Sequence, residues 1–177
     1  MRFNDKILTQ MKKIILLFAI ALSITFSASA ISLKEAYDAL SNVPNISVRT
    51  DYNTPILGLI VNGQIASTSN LKESQILESG NAVYTILNQV PLTRMINGGN
   101  NNLVAAFVYA SAEATNGIYE VLIVLMSGKL GDISIIYGGI DEAAKNALQN
   151  APLQMDSATI SIHASLPNGD TYNIEAN

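Results

Sequence analysis

Hydrophobic residues are spaced in two ways along this chain, and each spacing marks a kind of element. Between residues 103 and 140 the apolar runs are short and bounded by turn residues. Leu103-Val104-Ala105-Ala106-Phe107-Val108-Tyr109-Ala110 and Tyr119-Glu120-Val121-Leu122-Ile123-Val124-Leu125-Met126 are apolar on both alternating sides. Such runs suit strands covered above and below; a buried helix gives the same periodicity, so length and punctuation decide. Asn116-Gly117 supplies the positive φ of a tight hairpin, and Ser127-Gly128 closes the second arm. A third arm, Asp132 to Tyr137, stops at Gly138-Gly139. These connections are too short for a crossover helix, so the arms are expected to pair antiparallel as a central meander.

Helical spacing appears in three places. Leu33, Ala36, Tyr37 and Leu40 share a face behind Ser32-Leu33-Lys34-Glu35, a capping box, and the helix should end near Asn42, before Pro44. Val83, Ile86, Leu87 and Val90 predict a helix over 81–90, closed by Pro91. Asp141 is a candidate N-cap for a helix to Asn150, with Ile140, Ala144, Ala147 and Leu148 inward. Shorter signals fill the rest. Ile46 to Thr50 reads as an edge strand, and Ile56–Val61 and Gln64–Thr68 as arms of an Asn62-Gly63 hairpin. Ala158 to Leu166 alternates and returns through Pro167-Asn168-Gly169-Asp170 along Thr171 to Ile174. Asn97 to Asn102 reads as a polar loop. Residues 69–80 mix a helix start with an extended pattern and stay open. The sum is an α+β fold: an antiparallel sheet of about five to seven strands with three helices packed on one face.

Composition then sets the compartment. Met11-Lys12-Lys13, an apolar run from Ile14 to Leu22, and Ala28-Ser29-Ala30 form a secretory signal over residues 1–30, with cleavage expected before Ile31. Residues 1–10 precede a better start at Met11 and read as a mis-assigned start or an extended n-region. The apolar run is short for a membrane span and no second one follows, so no integral membrane segment is expected after cleavage. That leaves residues 31–177 as a single domain, destined for the periplasm or the cell exterior. In it, six basic residues are scattered singly among thirteen acidic ones, a balance of −7 that gives nucleic acid no footprint. The chain of 177 residues has no cysteine. This removes thiol catalysis, thiolate metal sites and a lipobox, so a conventional lipoprotein is not expected.

Candidate chemistry is thin. His163 is the one histidine, which rules out a multi-histidine zinc site in one chain. It shares a strand face with Thr159, Ser161 and Ser165, so a serine–histidine arrangement would use Ser161 or Ser165 as nucleophile, with no nucleophile elbow and no identifiable third member. Asp141-Glu142 are adjacent carboxylates at a helix start, where they complement the dipole and diverge too far for acid–base work. Glu113 and Glu120 flank the Asn116-Gly117 turn and read as a solvated hairpin end. The asparagine loop at 97–102 lacks the carboxylates of a calcium loop. Gly138-Gly139 before a helix lacks phosphate-loop spacing and reads as a plain strand-to-helix turn. The tyrosines lack a tryptophan platform for sugar stacking, and Tyr37, Tyr109 and Tyr137 fit the core. No catalytic, cofactor-binding or metal-ligating residue is assigned, and no cofactor is implied.

Gly117-Ile118-Tyr119-Glu120-Val121-Leu122-Ile123-Val124, continuing through Ser127-Gly128-Lys129-Leu130-Gly131-Asp132 to Gly138-Gly139-Ile140-Asp141, resembles small exported proteins of Bacteroidetes catalogued as domains of unknown function. The likeness covers residues 103–148. It is a packing pattern: it implies an envelope protein and carries no functional residues across. The expected function is a non-catalytic exported domain that binds a protein or a cell-envelope component. The alternative is a hydrolase using His163 or a carboxylate pair.

Overall fold

The computed structural model describes residues 30–94, 96–100, 104–127, 131–155 and 160–175. The expected signal segment and the Gly128 turn residue lie outside them. The described chain is α+β, with three helices and nine strands in two sheets. In order, α1 is Leu33–Leu40, β1 Val48–Asp51, β2 Val61–Thr68, α2 Glu73–Leu87, β3 Ile96–Asn100 and β4 Val104–Ala110. There follow β5 Tyr119–Ser127, β6 Asp132–Ile140, α3 Glu142–Gln149, β7 Leu153–Met155, β8 Ile160–Ser165 and β9 Thr171–Glu175. One sheet has six strands in the order β1-β2-β6-β5-β4-β3, and the other has the order β7-β8-β9. Every pairing is antiparallel.

The meander forms as expected from its runs. β5 lies in the middle, with Ile123 opposite Val108 on one side and Ile136 on the other. Asn116 and Gly117 both take positive φ, 52° and 79°, the hand that matches strand twist. The caps also form. Ser32 Oγ accepts from the Glu35 amide (3.2 Å), while the Ser32 amide (2.8 Å) and hydroxyl (2.9 Å) donate to Glu35 Oε2; these last two bonds hold the Glu35 carboxyl below its ordinary range. Asp141 Oδ1 accepts from the Ala144 amide at 2.7 Å.

The layering corrects one expectation. Among the described helices, α1 and α2 alone cover the first face of the large sheet, packing on Ala105, Phe107, Tyr109, Leu122, Val124, Met126, Ile133 and Ile135. α3 lies on the other face, beside the small sheet, against Val108, Val121, Ile123, Leu125, Ile136 and Ile140. β4 and β5 are apolar on both sides, so each face needs its own cover.

Local differences have local causes. Asn62-Gly63 makes no hairpin; it lies inside β2, where the register against β6 shifts between Val61 and Gln64. The turn comes earlier, at Leu57 and Gly58 (φ 53° and 68°), bridging Ile56 to Ile60. Ile56 folds back onto Gly63, whose missing Cβ would sit 2.1 Å from Ile56 Cδ1. The expected polar loop begins as a strand: β3 pairs with β4 from Ile96–Val108 to Asn100–Val104, because the β4 edge needs backbone partners; residues 101–102 lie outside the described residues. β6 runs on through Gly138-Gly139 to Ile140. Residues 73–80, open from sequence, begin α2, where Gln75 Oε1 accepts from the Lys72 amide at 3.0 Å.

Candidate functional site

β8 is the middle strand of the small sheet, and its alternation sets the site. Ile162 and Ala164 are buried in the core, which turns Ser161, His163 and Ser165 to the other side. His163 is opposite Asn173 of β9, and its amide donates to the Pro152 carbonyl at 3.2 Å. α3 runs alongside. Between α3 and β8 lies an open groove of about 310 Å³, lined by Ala143, Asn146, Ala147, Asn150, Ala151, Pro152, His163, Ser165, Leu166 and Pro167. Small side chains on α3 create the hollow, and the amides of Asn146 and Asn150 supply neutral donors and acceptors on its wall.

Of the two candidate nucleophiles, the structure brings Ser161 to the histidine. Ser161 Oγ and His163 Nε2 are 3.1 Å apart, within reach for proton transfer. Ser165 lines the groove instead. Among the described residues the imidazole has no other side-chain partner, so no carboxylate orients it. β8 also has a strand on each side, so its amides serve the ladders and do not cluster as an oxyanion hole.

The carboxylates have other roles. Asp141 caps α3 and Glu142 sits in its first turn. Glu120 Oε1 accepts from the Tyr137 hydroxyl at 2.6 Å, so the hairpin end is tied to β6 rather than merely solvated. Burial, reinforced by that bond, pushes the Tyr137 phenol above its ordinary range. Among the described residues no group of three or more His, Cys, Asp or Glu could hold a metal. Gly138 and Gly139 serve close packing: a Cβ on Gly138 would lie 2.4 Å from Ile60 Cγ2, and one on Gly139 would lie 2.5 Å from Ile118 Cγ2. Tyr37 and Tyr109 are buried as expected, while Tyr137 stacks at the rim, 5.6 Å from Tyr37 between centroids.

Several polar contacts had no sequence signal. Arg94 Nε donates to the buried Tyr109 hydroxyl, and its guanidinium lies 5.0 Å from the Phe107 ring centre. Ser79, fully buried, donates to the Pro44 carbonyl at 2.8 Å and accepts from Asn45 Nδ2 at 3.1 Å. Their partners lie 15 to 35 residues away, which no local pattern encodes. A second groove, about 350 Å³, lies by Ile56, Leu57, Ile65, Ser134, Ile136, Asn173 and Ile174.

Fold and site together define a three-layer α+β domain with one face left grooved. Neither protein-family models, nor curated proteins, nor solved structures give a match to this chain. Among the described residues no helix is long and apolar enough to cross a membrane.

Proposed function

We propose that the chain is an exported, non-catalytic domain that binds a protein or a component of the cell envelope in the groove between α3 and β8. The observation that carries this reading is the groove's chemistry. Asn146 and Asn150 line it with uncharged amides beside the apolar side chains of Ala147, Pro152 and Leu166, a combination suited to recognition. The secretory pattern of residues 1–30 and the resemblance to exported Bacteroidetes proteins support a location in the envelope or outside the cell. The acidic surface, with single scattered basic residues, argues against nucleic acid as partner.

Ala143 is exposed at the groove wall, so Ala143→Arg should block the groove while the fold stays intact. Wild-type protein incubated with envelope extract is expected to retain material that Ala143→Arg loses. Equal retention by both would end the groove reading. Mass spectrometry of the secreted protein should find Ile31 first; an intact Met1 or Met11 would remove the export premise.

One observation favours a second reading, hydrolysis by Ser161 with His163 as base: their 3.1 Å contact. A fluorophosphonate probe decides between the two. Labelling lost in both Ser161→Ala and His163→Ala would establish the hydrolase; no labelling of folded wild-type protein supports binding.

A further inference from the structure

β1 is the outer strand of the large sheet, and among the described residues no strand pairs with its outer edge. All four residues are exposed. Val48 keeps 52% of its surface in solvent, and Tyr52, just after the strand, keeps 38%. The Tyr52 amide donates inward to the Gly63 carbonyl at 2.8 Å. Backbone direction alternates along a strand, so Val48 and Thr50 also face β2, while Arg49 and Asp51 turn their N–H and C=O groups to the open edge. Their side chains are each held from within. Arg49 Nε and Nη2 donate to the Ser41 carbonyl at the end of α1, which leaves Nη1. Asp51 Oδ1 accepts from Gln64 Nε2 at 2.8 Å, which leaves Oδ2 without a partner among the described residues.

We propose that β1 pairs antiparallel with β1 of a second copy of this chain, about a twofold axis between the two Thr50 residues. Two six-stranded sheets then join into one continuous sheet. Charge selects this register. Paired side chains share a sheet face, so a twofold axis perpendicular to the sheet must pass between a residue and its own copy. Centring on Arg49 or on Asp51 puts like charges directly opposite, which is destabilising. Centring on Val48 sets Arg49 against Ser47 and leaves Asp51 beyond the strand. Centring on Thr50 sets Arg49 opposite Asp51 twice, by symmetry, and covers each exposed Val48 with a Tyr52. It also uses the outward backbone groups of Arg49 and Asp51 in ladder bonds. Short charged edge strands usually guard against association. A guard of one sign repels its copy, whereas Arg-Thr-Asp attracts its own reverse. The strand is short, so the contact belongs with the small, transient interfaces and the dimer is concentration-dependent.

Thr50 would form a non-hydrogen-bonded pair with its copy, where Cα atoms approach to about 4.5 Å, within disulfide range. The chain has no cysteine, so Thr50→Cys introduces a single thiol. Mild oxidation should convert Thr50→Cys to a covalent dimer and leave Ala112→Cys, exposed on the β4–β5 connection, a monomer. By light scattering, Asp51→Arg and Arg49→Asp should each weaken self-association about tenfold or more, because both symmetric contacts become repulsive. Mixing these two variants should restore pairing, since each then meets its opposite. Arg49→Asp also loses the bond to Ser41; the Thr50→Cys result does not depend on it. A Thr50→Cys chain that crosslinks no faster than Ala112→Cys would overturn the proposal, as would single charge variants that self-associate like the parent.

Discussion

The two faces of the large sheet are built from the same strands and closed in different ways. On the α1/α2 face the fill is large and aromatic. Tyr84 meets Phe107 edge-on at 5.3 Å, Tyr37 stacks on Tyr137, and Arg94 lies over Phe107 while bonding Tyr109. Ser79, Asn45 and Gln75 bind the Val43–Asn45 turn to α2. On the α3 face the fully buried residues are aliphatic, Ala144, Ala147 and Ala164 among them, with Tyr119 and Tyr172 only partly buried against them, and the two grooves described open there. Side-chain volume explains the difference: rings and clamps fill the space between helix and strand, whereas alanines leave hollows. One face is filled by rings and clamps, and the other carries the two grooves described.

The largest expected effect removes the difference by removing the sheet. Ile123 is fully buried mid-β5 on the α3 face. Ile123→Asp places an unpaired carboxylate in an apolar interior, at a cost of several kcal/mol, about the whole margin of a small domain. Circular dichroism at room temperature should show an unfolded chain. A variant that melts like the parent would mean that β5 is not the centre of the core.

Next in size is a change aimed at the grooved face alone. A Cβ on Gly138 would lie 2.4 Å from Ile60 Cγ2 and 2.9 Å from the Val61 carbonyl oxygen. The second of these is backbone and cannot swing aside. Gly138→Val should therefore destabilise by about 1–3 kcal/mol in a urea titration. It should also disturb amide signals of residues 56–61 while leaving those of α1 in place; the reverse pattern would contradict the division between the two faces of the sheet.

Much of this architecture was legible because its signals are local. The meander followed from β-branched runs of eight residues closed by Asn-Gly and Ser-Gly, and α1 and α3 from their caps. What failed depended on contacts distant in sequence. Asn62-Gly63 carries a strong hairpin signal, yet Ile56 occupies the space beside Gly63 and the pair becomes an irregularity within β2. Residues 69–80 stayed open from sequence, yet Ser79 and Gly80 are buried within α2, where the Ser79 hydroxyl finds Pro44. β5 is apolar on both sides, which already required a cover on each face; helix periodicity gives no indication of which face a helix takes. At the site, two-residue spacing put both Ser161 and Ser165 on the face of His163, and only the folded contact selects Ser161. The groove beside them was not visible, because it depends on where α3 packs.

A loss of similar size is expected in the α1/α2 layer. Ser79→Ala leaves the Pro44 carbonyl and Asn45 without their buried partner, a cost of about 1–3 kcal/mol. Thermal melting measures it. Ser79→Cys, close in shape and a weaker donor, should fall between parent and alanine. An alanine variant as stable as the parent would mean that the clamp contributes nothing to closure.

The mildest effect separates the faces by pH. Tyr37, Tyr84, Tyr109 and Tyr137 all pack in the α1/α2 layer, and burial raises each phenol above its ordinary value. For Tyr137 the bond to Glu120 adds to the rise; for Tyr109 the Arg94 guanidinium works against it. A raised phenol means that the folded chain keeps a proton that the unfolded chain releases. Stability from these groups is therefore complete below the ordinary phenol value of about 10 and declines as pH climbs past it. Urea midpoints should be flat through neutrality and fall in alkali. Tyr137→Phe should shallow that fall, at the price of one rim hydrogen bond at neutral pH, whereas Ala143→Arg in the grooved layer should leave its slope unchanged. If Tyr137→Phe declines as steeply as the parent, the alkaline limb belongs to other groups and the phenols of the α1/α2 layer are not its source.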